Sequence, residues 1–239
     1  MTMKTGLKIL ALAMAGAAAL TAQSGTAGSA AAGSGAAQSP QGVTRVEPGV
    51  HRIGPATAPV TLTEYVSYTC PHCAHFEQEA GKELVIAYTA TGKASVVVRH
   101  LVRDQADLAA ALVTNCGQSD RFLANHSAIM SAQPVWLDKW FKATSAQRAR
   151  YQTGTVGARM QAVARDLGFY DIMVRRGYSK AQIDRCLADE AMAKTLSEKT
   201  AAYRDKGVSG TPSFDIDGVL LAGTHDWASL KPQLDVRIK

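Results

Sequence analysis

No acidic residue occurs before Glu47, and the longest apolar run near the N-terminus covers only residues 9–20. That is short of the roughly 18 residues a membrane-spanning helix needs. No second Cys-x-x-Cys accompanies the one at Cys70–Cys73, and no Cys/His pair stands at finger spacing, so a four-ligand zinc site lacks half its ligands. Lys and Arg are scattered, with Arg175-Arg176 the only adjacent pair, which leaves no footprint for nucleic acid. There are no internal repeats, which excludes solenoids and propellers.

What stands at the N-terminus is a secretory pattern. Lys4 and Lys8 precede the apolar run, and small residues follow it. Residues 1–24 are read as a signal peptide, with cleavage somewhere within 22–30. Residues 25–48, rich in Gly, Ala and Ser, are read as a flexible tether. Loss of Lys4 and Lys8 leaves 24 basic against 20 acidic residues, a mild formal charge of +4. Four cysteines behind a signal peptide fit an oxidising compartment, hence a periplasmic or secreted protein.

Cys70-Pro71-His72-Cys73 lies between Val60–Val66, a β-branched and aromatic run that reads as a strand, and a helical pattern carried by Phe76, Ala80, Leu84 and Ala87. A CxxC in the first turn of a helix after a strand is the redox setting of the motif. Unpaired N–H groups at the helix start favour the thiolate of Cys70. Cys70 is expected to be the more exposed, attacking thiol and Cys73 the buried, resolving one. His72 should lower the Cys70 pKa further. A structural disulfide, or a copper site recruiting His51, His72 and His75, is the alternative.

After a turn-rich approach over residues 51–59, the strand and the CxxC helix, Gly92 ends that helix and residues 94–101 form a second strand, giving β-α-β with a parallel pair. Helices are then predicted over 106–116, 120–130, 137–144, 156–167, 179–187 and 190–206, with breaks at Pro134, Gly168 and Gly177. The chain returns to β around an Asp217-Gly218 hairpin turn and closes with a helix over 227–236. The α/β fold is therefore β-α-β, an all-helical insertion over 104–206, then β-β-α. The outer parts, 49–103 and 207–239, form one domain. His100, His126 and His225 show no partner pattern and are read as packing or surface residues.

The run Ala58-Pro59-Val60, Glu64-Tyr65, Cys70-Pro71-His72-Cys73, the helical insertion and Gly210-Thr211-Pro212 together resemble a DsbA-type thiol:disulfide oxidoreductase. The resemblance covers nearly all of 50–239 and implies a thioredoxin fold interrupted by helices. It implies a cis peptide before Pro212 and a Gly210-Thr211-Pro212 loop that faces the active pair and holds substrate backbone. It also implies a disulfide donor whose polarity comes from Pro71-His72, working on reduced secreted proteins and reoxidised by a quinone-linked membrane oxidase. No cofactor beyond the Cys70–Cys73 disulfide and no metal are called for.

Glu64, six residues before Cys70, is a candidate proton relay for Cys73, the alternative being a solvent-facing carboxylate. Cys116 and Cys186 are read as a second, structural disulfide of the kind several family members carry, the alternative being two unpaired thiols. Closing about 70 residues is worth roughly 4 kcal/mol in the chain-entropy model. A tether of 25–48 is too short to build a dimerisation domain, so a monomer is expected. Thr211 is the one departure, since Val is commoner there in the oxidases and Thr in the isomerase branch. Isomerase or reductase activity, or a metal- or peptide-binding module without turnover, are the competing functions.

Overall fold

The computed structural model of the chain describes residues 42–238. The signal peptide, its cleavage region and most of the tether lie outside the described residues. A six-stranded sheet has the spatial order β1 (Thr44–Glu47), β2 (Val50–Ile53), β4 (Ala94–His100), β3 (Val60–Val66), β5 (Ser213–Ile216), β6 (Val219–Leu220). Its centre is β3 (Val60–Val66), paired in parallel with β4 (Ala94–His100) and antiparallel with β5 (Ser213–Ile216). Both central strands are almost wholly buried because helices cover both faces, although only β4 reads as a nearly continuous apolar run. Leu62, Val66 and Phe214 are fully buried, and burying a side chain of this size contributes about 2 kcal/mol.

The connection from β3 to β4 is α1 (Pro71–Glu83), which continues as a π-helical stretch Leu84–Thr89 and stops at Gly92 in the left-handed region. The hairpin from β5 to β6 (Val219–Leu220) turns through Asp217 and Gly218, both at positive φ, as an Asp-Gly pair allows. α10 (Trp227–Arg237) then packs on α1 and buries Leu230 and Leu234.

Two strands were not predicted. Thr44–Glu47 (β1), inside the stretch read as tether, and Val50–Ile53 (β2), inside the turn-rich approach, form a hairpin that extends the sheet beyond β4. Four residues are too few to display a period of two, yet Val43, Val50 and Ile53 are buried. Arg45 secures the hairpin by donating to the carbonyls of Asn115 and Gly117, beyond the next helix.

The insertion holds α2 (Gln105–Thr114), α3 (Phe122–Ser131), α4 (Gln133–Phe141), α5 (Ser145–Gln152), α6 (Val156–Leu167), α7 (Phe169–Arg175), α8 (Lys180–Leu187) and α9 (Glu190–Asp205). α5 and α7 go beyond the six helices predicted. α5 is polar and buries only Tyr151, but its capping box of Thr144 and Gln147 was a readable start signal. Pro134, predicted to break the chain, sits in the first turn of α4, where its missing N–H costs nothing. Phe122, His126, Ile129 and Met130 of α3, which share one face at helical spacing, are buried. One hydrophobic core runs from the sheet through α1 into the insertion. Cys116 and Cys186 form a disulfide with Cα atoms 5.6 Å apart, tying the end of α2 to α8.

Candidate active site

Cys70 is the N-cap of α1 and Pro71 opens the helix, so the carbonyl of Cys70 accepts the N–H groups of Cys73 at 3.1 Å and Ala74 at 3.3 Å. The fixed φ of proline is pre-organised for that first turn. Both thiols are free. Cys73 is fully buried, and Cys70, expected to be the exposed partner, is only 3% exposed. The loop carrying Pro212 covers it. The Thr211–Pro212 peptide is cis, and the Thr211 carbonyl accepts from the Cys70 thiol at 3.1 Å. Ser213 Oγ donates to the Gly210 carbonyl, and His225 Nδ1 lies 2.8 Å from the Pro212 carbonyl, so both ends of the turn are held.

The two sulfurs are pushed in opposite directions. The hydrogen bond from Cys73 holds the Cys70 thiol down to about 4, against the effect of burial. The Thr211 side chain, the Cys73 backbone N–H and the charge of Arg103 assist. Burial, followed by the hydrogen bond and charge of Cys70, drives Cys73 well above the ordinary thiol value. His72, expected to acidify Cys70, is exposed and makes no hydrogen bond to either sulfur among the described residues. Arg103, which the sequence reading did not single out, donates through Nη2 to the Thr211 hydroxyl oxygen. With that oxygen accepting, its hydrogen is free to point at the thiolate. Thr211→Val removes this donor and should raise the Cys70 pKa by about one unit, read from thiolate ultraviolet absorbance during a pH titration. An unchanged titration would show that the hydroxyl plays no part.

Two further residues hold the loop in front of Cys70. Asp107 of α2 accepts from Ser67 Oγ at 2.5 Å and from the backbone N–H groups of Tyr68 at 2.8 Å and Arg103 at 3.1 Å. Gln133, buried at the start of α4, donates from Nε2 to the carbonyls of Tyr68 at 2.7 Å and Cys70 at 2.8 Å. Gln133→Leu is nearly isosteric and leaves both carbonyls without that donor. It should cost about 2 kcal/mol in urea unfolding, and a loss below about 0.5 kcal/mol would mean that the loop holds itself. Neither residue carries a spacing signal, because both contacts arise only when the insertion folds back on the sheet.

Glu64 faces the core, not solvent, at 5% exposure, which removes the solvent-facing alternative. Burial pushes its carboxyl up to about 7, with the His126 charge pulling down and the Glu77 charge pushing up. It acts in turn on Cys73, whose pKa its charge raises. Behind it His126, read from the sequence as a packing residue, pairs with Glu77 at 3.6 Å and lies 2.9 Å from the Tyr68 hydroxyl. Burial disfavours charge on His126, but Glu77 and Glu64 more than compensate and its pKa is raised. Ser127 completes the group by donating to Glu77. Glu64, Glu77 and His126 line one cavity of about 20 Å³, room for a single water.

Of the residues considered for copper, His51 is buried and stacked on Phe122 with ring centroids 3.9 Å apart, and burial lowers its pKa to about 3. His75 pairs with Glu79 on the exposed side of α1. Among the described residues no group of three or more His, Cys, Asp or Glu side chains could hold a metal ion.

A family model described as Thioredoxin matches residues 46–236. A crystal structure of a protein-disulfide isomerase from Novosphingobium aromaticivorans is 48% identical, with a TM-score of 0.76, covering 80% of this chain and 98% of that one. Alpha-DsbA1 of Wolbachia pipientis shares the fold at 18% identity, with a TM-score of 0.59, covering 78% of this chain and 89% of its own. A Rickettsia felis protein whose name carries the words protein-disulfide oxidoreductase is 29% identical over 186 residues, 77% of this chain. The chain spans 58% of the length of that relative.

Proposed function

Because the chain belongs to the thioredoxin family in its DsbA-type form, a thioredoxin fold with a helical insertion, we propose that it donates its Cys70–Cys73 disulfide to reduced secreted proteins. The observation that carries this reading is the asymmetry of the pair: Cys70 is stabilised as thiolate under Thr211 and Arg103, while Cys73 is held as a buried thiol. A low-pKa thiolate is a good leaving group, and stabilising the reduced form makes the disulfide oxidising.

In the proposed cycle a substrate thiolate attacks Sγ of Cys70 and the Cys70–Cys73 bond breaks. Cys73 departs with the electron pair and takes up a proton, for which protonated Glu64 is the nearby source. A second substrate thiolate then attacks the substrate sulfur of the mixed disulfide, and Cys70 leaves as thiolate. The substrate loses two electrons and gains a disulfide; the Cys70/Cys73 pair gains those electrons. An extended substrate segment pairs with the backbone at Thr211 in the manner of an added strand. A membrane oxidase linked to quinone returns the pair to the disulfide form, and the protein works as a monomer in the periplasm.

Isomerisation is the second reading, favoured by Thr211 and by the isomerase name of the Novosphingobium structure. Oxidative refolding of a reduced, multi-cysteine protein by stoichiometric oxidised chain separates the two. The oxidase reading requires rapid disulfide formation that Cys70→Ser abolishes. Slow formation, with fast rescue of a scrambled substrate by the reduced chain, would assign isomerisation instead.

A further inference from the structure

We propose that a basic groove beginning at Arg103 holds an acidic stretch of the substrate protein whose cysteine is bonded to Cys70; this rests on the thiol-exchange reading above. The groove has a volume of about 480 Å³ and is lined by arginines from three separate elements: Arg103 before α2, Arg159 of α6 and Arg204 of α9. No carboxylate pairs with any of the three among the described residues. The acid that lines the groove, Asp104, is engaged as the N-cap of α2, where its Oδ1 accepts the Asp107 N–H at 2.9 Å. Leu108 and Met160 add apolar groups to the lining.

Position connects this surface to the chemistry. The side chain of Arg103 lines the groove at one end and donates to the Thr211 hydroxyl at the other, and Thr211 contacts the Cys70 sulfur. A polypeptide leaving Thr211 on this side passes over Arg103 before it reaches Arg204 and Arg159. A second depression of about 500 Å³ continues the path beyond Leu108 and Arg159; it adds Lys194, which pairs with Glu198, and Glu190, whose charges cancel, so the positive surplus rests on Arg103, Arg159 and Arg204. Guanidinium groups without a carboxylate partner match carboxylates carried on an extended chain, each offering a planar fork to a carboxylate. Arg103 is then a positioning residue shared by the thiolate and the substrate.

The test uses the full chain in its oxidised form and two dye-labelled, cysteine-free peptides, one with a Glu-rich flank and one with a Lys-rich flank. At about 20 mM salt the Glu-rich peptide should bind about tenfold tighter, and at about 500 mM salt the two should bind alike. The double variant Arg159→Glu/Arg204→Glu should reverse the preference, and Arg159→Gln/Arg204→Gln should abolish it. Circular dichroism confirms that each variant is folded. Equal binding at low salt, or a preference unchanged in both double variants, overturns the groove. A parallel arm gives each flank a cysteine pair and follows its oxidation. Oxidation of both peptides with no difference in binding overturns the groove alone. Tight binding of the Glu-rich peptide without oxidation of either overturns the disulfide-donor reading, and with it the identity of the occupant.

Discussion

At pH 7 the reduced protein should be the more stable form, and at pH 4 the order should invert. The ordinary thiol value of 9.0 falls to about 4 for Cys70 in the folded, reduced protein. A depressed pKa contributes stability that is complete above the unfolded value and is lost as pH falls towards the folded one. At pH 7, three units above the folded value, the thiolate contributes about 4 kcal/mol to the reduced protein. The oxidised protein has no thiolate at Cys70, but its four-residue ring restrains the unfolded chain by about 2 kcal/mol. The difference favours the reduced protein by about 2 kcal/mol at pH 7, and it passes through zero near about pH 5.5 as the thiolate protonates. Urea unfolding of both redox forms from pH 4 to pH 8 measures this directly. An oxidised form that is more stable throughout the range contradicts a thiolate held in this way.

Glu64→Gln should stabilise the protein at pH 8 and leave it nearly unchanged at pH 4. Burial raises the Glu64 carboxyl from 4.5 to about 7. For an acid with a raised folded-state pKa, stability is complete below about 4.5 and is lost as pH rises to about 7, because the buried group must then ionise. The loss is about 3 kcal/mol at pH 8. Glutamine keeps the shape and cannot ionise, so the variant escapes the loss while the His126–Glu77 pair stays in place. The same substitution removes the proton source beside Cys73, so disulfide transfer should slow even as stability rises. A stability difference that does not change with pH would mean that Glu64 is already ionised at pH 4 or stays neutral at pH 8.

The sequence and the structure agree where chemistry is local. Cys70 and Cys73 stand three positions apart at a helix start, and strand, helix and strand around them carry strong periodicity. The Asp217-Gly218 turn and the start of the helix at Ser179 are equally local and stand where predicted. Burial of Glu64 and the seat of Pro212 against Cys70 could be anticipated only through the resemblance, because nothing in a half-apolar strand says which face is inward. Arg103, Asp107 and Gln133 were invisible for a different reason. Arg103 meets a residue 108 positions away, and Gln133 reaches back 63 positions to Cys70. The first contact joins the two halves of the outer domain across the insertion, and the second belongs to the way the insertion closes over the sheet. The sequence reading credited the acidity of Cys70 to the helix start, with His72 lowering it further, whereas the structure gives the largest part to the Cys73 side chain, with Thr211, the Cys73 backbone N–H and Arg103 assisting. Strands β1 and β2 were lost for want of length, and Pro134 because a proline that opens a helix looks like one that ends it.

The reduction potential of the Cys70/Cys73 pair, measured by equilibration with glutathione buffers, tests the central claim most directly. A pair with Cys70 stabilised as thiolate should lie between about −180 and −120 mV, the span from protein disulfide isomerase to DsbA. A value near about −270 mV, where thioredoxin lies, would mean that the pair holds its disulfide rather than giving it away.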